Sequence, residues 1–253
     1  ILILSLNTFL DPDKMDLHSP YQNVSLKFSN VSHSPVEVKS NNLWLQTPIN
    51  LSDEFYQQLN SSWHKFYIIP YVSTKKKFED ILIVGSGTGN DVAAALRNTK
   101  ARIDAVEIDP LVADIGVRLH PEKPYLDSRV NLVINDARNF IKETEKKYDM
   151  IVYSLLDSHA NLSSKGGVRL DSYVYTIEAF EEAKKIDRDP KTIELTTGCP
   201  GALPGSKVNP LSAVEERVAA GVDRIALPAN AFMDNIEEQL ASFSESVIQK
   251  ING

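Results

Sequence analysis

The sequence predicts an α/β fold: a doubly wound, mostly parallel sheet of Rossmann-like type, with a small N-terminal β-region and an atypical C-terminal βαβα segment. Three observations predict it. Residues 81–109, ILIVGSGTGNDVAAALRNTKARIDAVEID, read as strand, glycine turn, helix, second strand and acidic end. Two more apolar runs, RVNLVI from Arg129 and YDMIVYSLL from Tyr148, suit buried parallel strands. Each run ends in polar residues, where open α/β sheets place their ligands.

Taken in order, residues 19–50 alternate with Asn and Ser breaks and read as β-strands, and Trp63, Phe66 and Tyr67 fall at helical spacing within 51–71. Ile81 to Val84 is the first sheet strand, Asp91 to Arg97 an alanine-rich helix and Ile103 to Val106 the next strand. The Arg129 run leads into the helix-like ARNFIKETEKK, and the Tyr148 run, apolar on both faces, leads into Asp157-Ser158-His159. After Lys185 the pattern changes. The expected glycine turn and central strand are replaced by IDRDPKTIELTTGCPGALPGSKVNP. Beyond it come a strand at Thr192–Thr197, a helix at Leu211–Ala220, a strand at Val222–Leu227 and a helix at Phe232–Lys250. We expect the tail to pack as strands five and six of one continuous sheet. The organisation is then 1–75, a β-region with its packing helix; 76–186, the nucleoside-binding core; and 187–253, a segment completing or flanking the sheet.

The glycine turn carries the chemistry. Gly85, Ser86, Gly87 and Gly89 let the backbone turn sharply and approach a ligand, at the N-terminus of the following helix. The pattern is GxGxG, and Val92 stands where a dinucleotide fingerprint has its third glycine. That favours a mononucleoside such as S-adenosylmethionine over NAD. Glu107, at the second strand end, is placed to accept ribose hydroxyls, and Asp136 to accept the adenine amino group. Asp157 is a candidate to hold or position a substrate amine, against the plainer reading of a helix cap or loop turn. His159 reads as a surface-loop histidine.

With these residues in view, the chain resembles the spermidine synthase family of the class I S-adenosylmethionine-dependent methyltransferase superfamily. SPYQNV from Ser19, ILIVGSGTGND, AVEIDP, DSRVNLVINDARNFI, KYDMIVYSLLDS and YVYTIEAF carry the resemblance, across most of residues 19–185. It implies that Gln22 contacts the nucleoside or amino end of the ligand, that Gly85 to Gly89 cradle it, and that Glu107 holds the ribose. It also implies that Asp136 and Ala137 face the adenine, and that Asp157 and Tyr175 serve catalysis. The donor implied is S-adenosylmethionine or its decarboxylated form, the acceptor a small amine, and no metal takes part. The chain departs from the family in two places. Thr88 stands where aminopropyltransferases usually carry an acid in the turn. Ser154 stands where the resemblance places the first of two aspartates, the base toward the attacking amine, so that only Asp157 remains. This version of the motif looks more like the spermidine-synthase-like domains attached to integral membrane proteins. Residues 187–253 weakly resemble the C-terminal end of luciferase-like oxidoreductases, through RDPKTIELT and VEERVAAGVDRIALP.

Composition fits a cytoplasmic globular domain. A formal charge of −7 with no basic cluster beyond Lys75-Lys76-Lys77 argues against a nucleic-acid surface and suits a cationic substrate. Cys199 alone excludes an internal disulfide framework, and the five histidines show no metal-ligand spacing. The apolar run ILILSLNTFL is much shorter than the roughly 20 residues of a spanning helix. It reads as a strand or as the cut end of a longer chain, so that an N-terminal membrane region is left open, as is a homodimer. Three functions are in play: an aminopropyl- or methyltransferase, a nucleoside-binding relative without turnover, and, more distantly, an oxidoreductase fragment fused to such a domain.

Overall fold

The computed structural model describes residues 13–31, 34–41, 43–55, 63–72, 76–154, 174, 176–189, 196–198, 209–219, 224–226 and 241–249. Two compact units divide the chain, Ile1–Pro190 and Lys191–Gly253.

The first unit holds two sheets. Strands β1 (Lys14–His18), β2 (Asn23–Phe28), β3 (Val36–Ser40) and β4 (Leu43–Gln46) form an antiparallel meander in sequence order. The second sheet is reached through α1 (Trp63–Val72). It comprises β5 (Asp80–Val84), α2 (Asn90–Asn98), β6 (Arg102–Glu107), α3 (Pro110–Leu119), a 3-10 turn (Pro124–Leu126), β7 (Val130–Ile134), α4 (Ala137–Glu143), β8 (Met150–Tyr153) and α5 (Ile177–Ile186). Its strands are all parallel, in the order β7-β6-β5-β8. The predicted Rossmann-like sheet and the small N-terminal β-region are both present.

Strand β5 is central and buried at every position. Its alternate side chains enter different cores because successive Cβ atoms point to opposite faces. Ile81 and Ile83 pack with Val92, Ala93 and Tyr71, whereas Leu82 and Val84 pack with Ile141, Tyr148 and Ile186. Helices thus cover both faces. In the N-terminal sheet Val24, Leu26, Val36 and Val38 turn inward onto Leu111, Ile115 and Leu119 of α3. Helix starts follow local capping chemistry: Asp109 accepts from Leu111 N at 2.9 Å ahead of Pro110, Asp136 from Asn139 N at 2.9 Å, and Thr176 from Ala179 N at 3.2 Å.

A charge cluster closes the amino-terminal end of the parallel sheet. Asp80 is buried and accepts from both Nε and an amino group of Arg102 (2.9 and 2.8 Å), from Arg188 (2.8 Å), and pairs with Lys146 at 3.0 Å. Lys146 also reaches Asp104, which accepts from Tyr148 Oη at 2.8 Å and Asn131 Nδ2 at 2.8 Å.

Among the described residues the parallel sheet has four strands. Past α5 the chain makes one isolated parallel bridge ahead of β8, Tyr148 with Asp187, where Tyr148 N donates to Ile186 O and Arg188 N to Tyr148 O, both at 2.9 Å. The sequence then runs Asp189-Pro190, and a proline has no N–H to extend a ladder. In the second unit β9 (Thr196–Gly198) pairs in parallel with β10 (Arg224–Ala226), with α6 (Pro210–Ala219) between them in the chain. Among the described residues these strands pair only with each other, as a βαβ unit of their own. Ala213 and Val214 of α6 pack with Val247, Leu211 and Phe243. No described helix is long and apolar enough to cross a membrane. The apolar run from Ile1 lies outside the described residues.

Candidate nucleoside-binding site

The glycine turn sits at the carboxyl ends of β5 and β6. Gly85 N and Ser86 N both donate to Val106 O, at 2.9 and 3.0 Å, which folds the turn over the end of β6. Gly85, Gly87 and Gly89 have φ of 70°, 58° and 105°, the left-handed region that glycine reaches without steric cost. The turn is held from beneath by Glu107. One carboxylate oxygen accepts from Gly87 N at 2.8 Å and the other from Asp109 N at 2.9 Å. Burial pushes the Glu107 carboxyl pKa up, partly offset by those two N–H groups.

Gln46, at the end of β4, was not foreseen. Its side-chain oxygen accepts from both N and Oγ1 of Thr88, each at 2.7 Å, and lies 2.5 Å from where a Cβ on Gly87 would stand. From the other side the Tyr125 hydroxyl donates to Gly87 O at 2.7 Å and shares a 2.9 Å hydrogen bond with Ser86 Oγ. Gly116 in α3 is a second omission, although a glycine inside a helical pattern is a signal of close approach. A Cβ there would fall 2.5 Å from Thr88 O.

The structure brings Gln22 to the same end of the sheet. Its Nε2 donates to Asp109 Oδ2 at 2.8 Å, and Ser19 Oγ donates to the same oxygen at 2.7 Å. Asn135 N donates to Glu107 O at 3.1 Å, which sets exposed Asp136 and half-buried Ala137 beside the carboxyl end of β6. Gln22, Gly85 to Gly89, Glu107, Asp136 and Ala137 therefore share one edge. Asp157, His159 and Tyr175 lie outside the described residues. Among the described residues no group of three or more His, Cys, Asp or Glu is placed to hold a metal ion.

Asn90 opens α2 and is buried. It accepts from Ile49 N and faces His120 Nε2, both at 3.1 Å, and donates to Thr47 O at 3.0 Å and Tyr67 Oη at 3.1 Å. His120 is neutral, its pKa pushed down to about 3 by burial and then by the charges of Lys123 and Arg97.

With that geometry established, residues 68–193 match the family described as spermine/spermidine synthase domain. The chain carries a spermine/spermidine synthase domain. Its relatives include proteins named polyamine aminopropyltransferase from Korarchaeum cryptofilum, 28% identical over 144 residues (56% of this chain, 40% of that protein), and from Sulfolobus acidocaldarius, 32% identical over 140 residues (54% and 42%). The chain thus spans about two fifths of the length of these curated relatives. A solved spermidine synthase from Thermotoga maritima is similar with a TM-score of 0.47 and 14% identity, over 68% of this chain and 52% of that one. The matched stretch runs from within α1 past α5 to Ile193. The tail's resemblance to luciferase-like oxidoreductases stays an expectation from sequence.

Proposed function

We propose that this chain transfers an aminopropyl group from decarboxylated S-adenosylmethionine to a small-molecule amine. The observation that carries the reading is the commitment of the turn's amides: Gly87 N to the Glu107 carboxylate and Thr88 N to Gln46. Dinucleotide sites leave such N–H groups for a pyrophosphate. Here they already have acceptors, one of them anionic, which disfavours a phosphate and favours an uncharged sugar and a cationic sulfonium. Each Glu107 oxygen spends one acceptor position on a backbone N–H and keeps another for a ribose hydroxyl. The donor supplies a carbon already activated by its positive sulfur, so the protein's task is placement and proton handling. The names of the relatives support the same chemistry.

Binding without turnover is the competing reading, and it rests on Ser154, a hydroxyl at the end of β8 where the resemblance places an acid. Calorimetric titration with decarboxylated S-adenosylmethionine, S-adenosylmethionine and methylthioadenosine, followed by a turnover assay with putrescine, separates the two. Glu107→Gln is expected to weaken donor binding by about 1.5–3 kcal/mol, the range for hydrogen bonds to a charged group. A deoxyribose analogue is expected to lose little further affinity in that variant. Additive losses would show that Glu107 and the sugar do not touch.

A further inference from the structure

Asp109 does more than cap α3. A helix cap uses one carboxylate oxygen, and Oδ1 fills that role by accepting from Leu111 N at 2.9 Å. Oδ2 takes two further donors from the turn between β1 and β2, Ser19 Oγ at 2.7 Å and Gln22 Nε2 at 2.8 Å. Ser19 Oγ in turn accepts from Tyr21 N and Gln22 N, both at 3.1 Å, which fixes the shape of that turn. On its other side Asp109 N donates to Glu107 Oε1 at 2.9 Å. One buried residue thus holds both Gln22 and Glu107. The contact also settles which way the Gln22 amide is turned. A carboxylate oxygen only accepts, so at 2.8 Å it faces the amide nitrogen, and the amide oxygen, itself an acceptor, turns away from it. Among the described residues nothing donates to that oxygen.

Resting on the proposed transferase reading, we infer that Asp109 is a positioning residue for donor recognition, holding Gln22 with its Oε1 presented as an acceptor to a ribose hydroxyl beside Glu107. The sugar edge of the site is then made of acceptors alone, the Glu107 carboxylate and one amide oxygen. An edge of that kind suits hydroxyls, which have protons to give, and repels an anionic group in their place. Asp109 is buried and acts through its two neighbours.

The test is calorimetric titration of the full chain with decarboxylated S-adenosylmethionine and with methylthioadenosine, paired with turnover on putrescine. Asp109→Asn keeps the helix cap, because asparagine caps as well as aspartate. With the new side chain's oxygen taken by Leu111 N, its nitrogen meets the Gln22 nitrogen donor to donor. Gln22 must then reverse and show its nitrogen to the sugar. Affinity for both nucleosides is expected to fall equally, by about 5- to 150-fold, the range for a polar group left without its partner. The lost contact is to the sugar, which does not react, so kcat at saturating donor is expected to be unchanged. Adding Gln22→Glu to that variant exchanges carboxylate and amide across the same contact. One oxygen of the new carboxylate accepts from the new amide and the other faces the sugar, so affinity for both nucleosides is expected to return. An aspartate that only caps a helix would not be rescued in this way. Unchanged affinity in Asp109→Asn, no recovery in the double variant, or a loss confined to decarboxylated S-adenosylmethionine, which alone of the two carries an ammonium, overturns the assignment while the transferase reading stands. A wild type that binds both nucleosides without turnover overturns the transferase reading and leaves the affinity comparison to decide this one. A wild type that binds neither overturns both.

Discussion

Gly116→Ala is expected to lower stability by about 1–3 kcal/mol, the cost of forcing an extra methyl into a packed interior. Helix propensity alone predicts the opposite sign, because alanine is better than glycine inside a helix by about 0.8–1 kcal/mol. The steric effect should win. The new Cβ would stand 2.5 Å from Thr88 O and 2.7 Å from the Tyr125 ring, and neither can step aside cheaply. One is backbone of the glycine turn, and the other is a buried ring tied through its hydroxyl to Ser86 and Gly87. Relief would push α3 off the turn and disturb the N-terminal sheet packed on that helix. Denaturant titration checks the stability, and calorimetry should show weakened donor binding alongside it. A stabilised variant that binds normally would mean the turn and α3 are not in contact.

The second large effect is expected at the opposite end of the sheet. Asp80→Asn removes the anion shared by Arg102, Lys146 and Arg188. Breaking a fully buried pair costs about 3–5 kcal/mol. Asp80 is buried, but the Arg102 side chain is 69% exposed and Lys146 and Arg188 keep Asp104 and Asp149, so the loss should fall at or below the lower end of that range. Burial by itself would raise the Asp80 pKa; hydrogen bonds from the three cations outweigh it and hold the carboxyl well below the usual range. A depressed folded pKa gives stability that is present above the unfolded value, about 3.9, and is lost as pH falls below it. Wild type should therefore lose stability in acid more steeply than Asp80→Asn. Donor binding below the unfolding temperature should be unchanged, because the cluster lies at the amino-terminal ends of the strands.

What could be read from sequence was what is written locally. The strand at Ile81–Val84, the three glycines and Glu107 follow one another within one βαβ unit, and their order alone implied the turn and its acid. Gln46 was illegible because it reaches Thr88 from a different sheet, 42 residues away, and nothing in LWLQ distinguishes that glutamine from a surface residue. The tail was legible in its elements and not in its pairing. Strand and helix periodicity were present, and Thr196–Gly198 and Arg224–Ala226 are strands, but periodicity does not name the partner of a three-residue strand.

Asn90 has a mechanical consequence. Its carboxamide has two donor and two acceptor positions, and all are engaged, by Thr47, Ile49, Tyr67 and His120. The stretch between the two sheets, helix α1 and the start of α2 are therefore coupled and should open together. The Ile49 amide lies outside regular secondary structure, yet in a hydrogen-exchange experiment it is expected to be protected like the amides of β5. Fast exchange at Ile49 beside slow exchange in β5 would show instead that the entry to α1 breathes independently of the glycine turn.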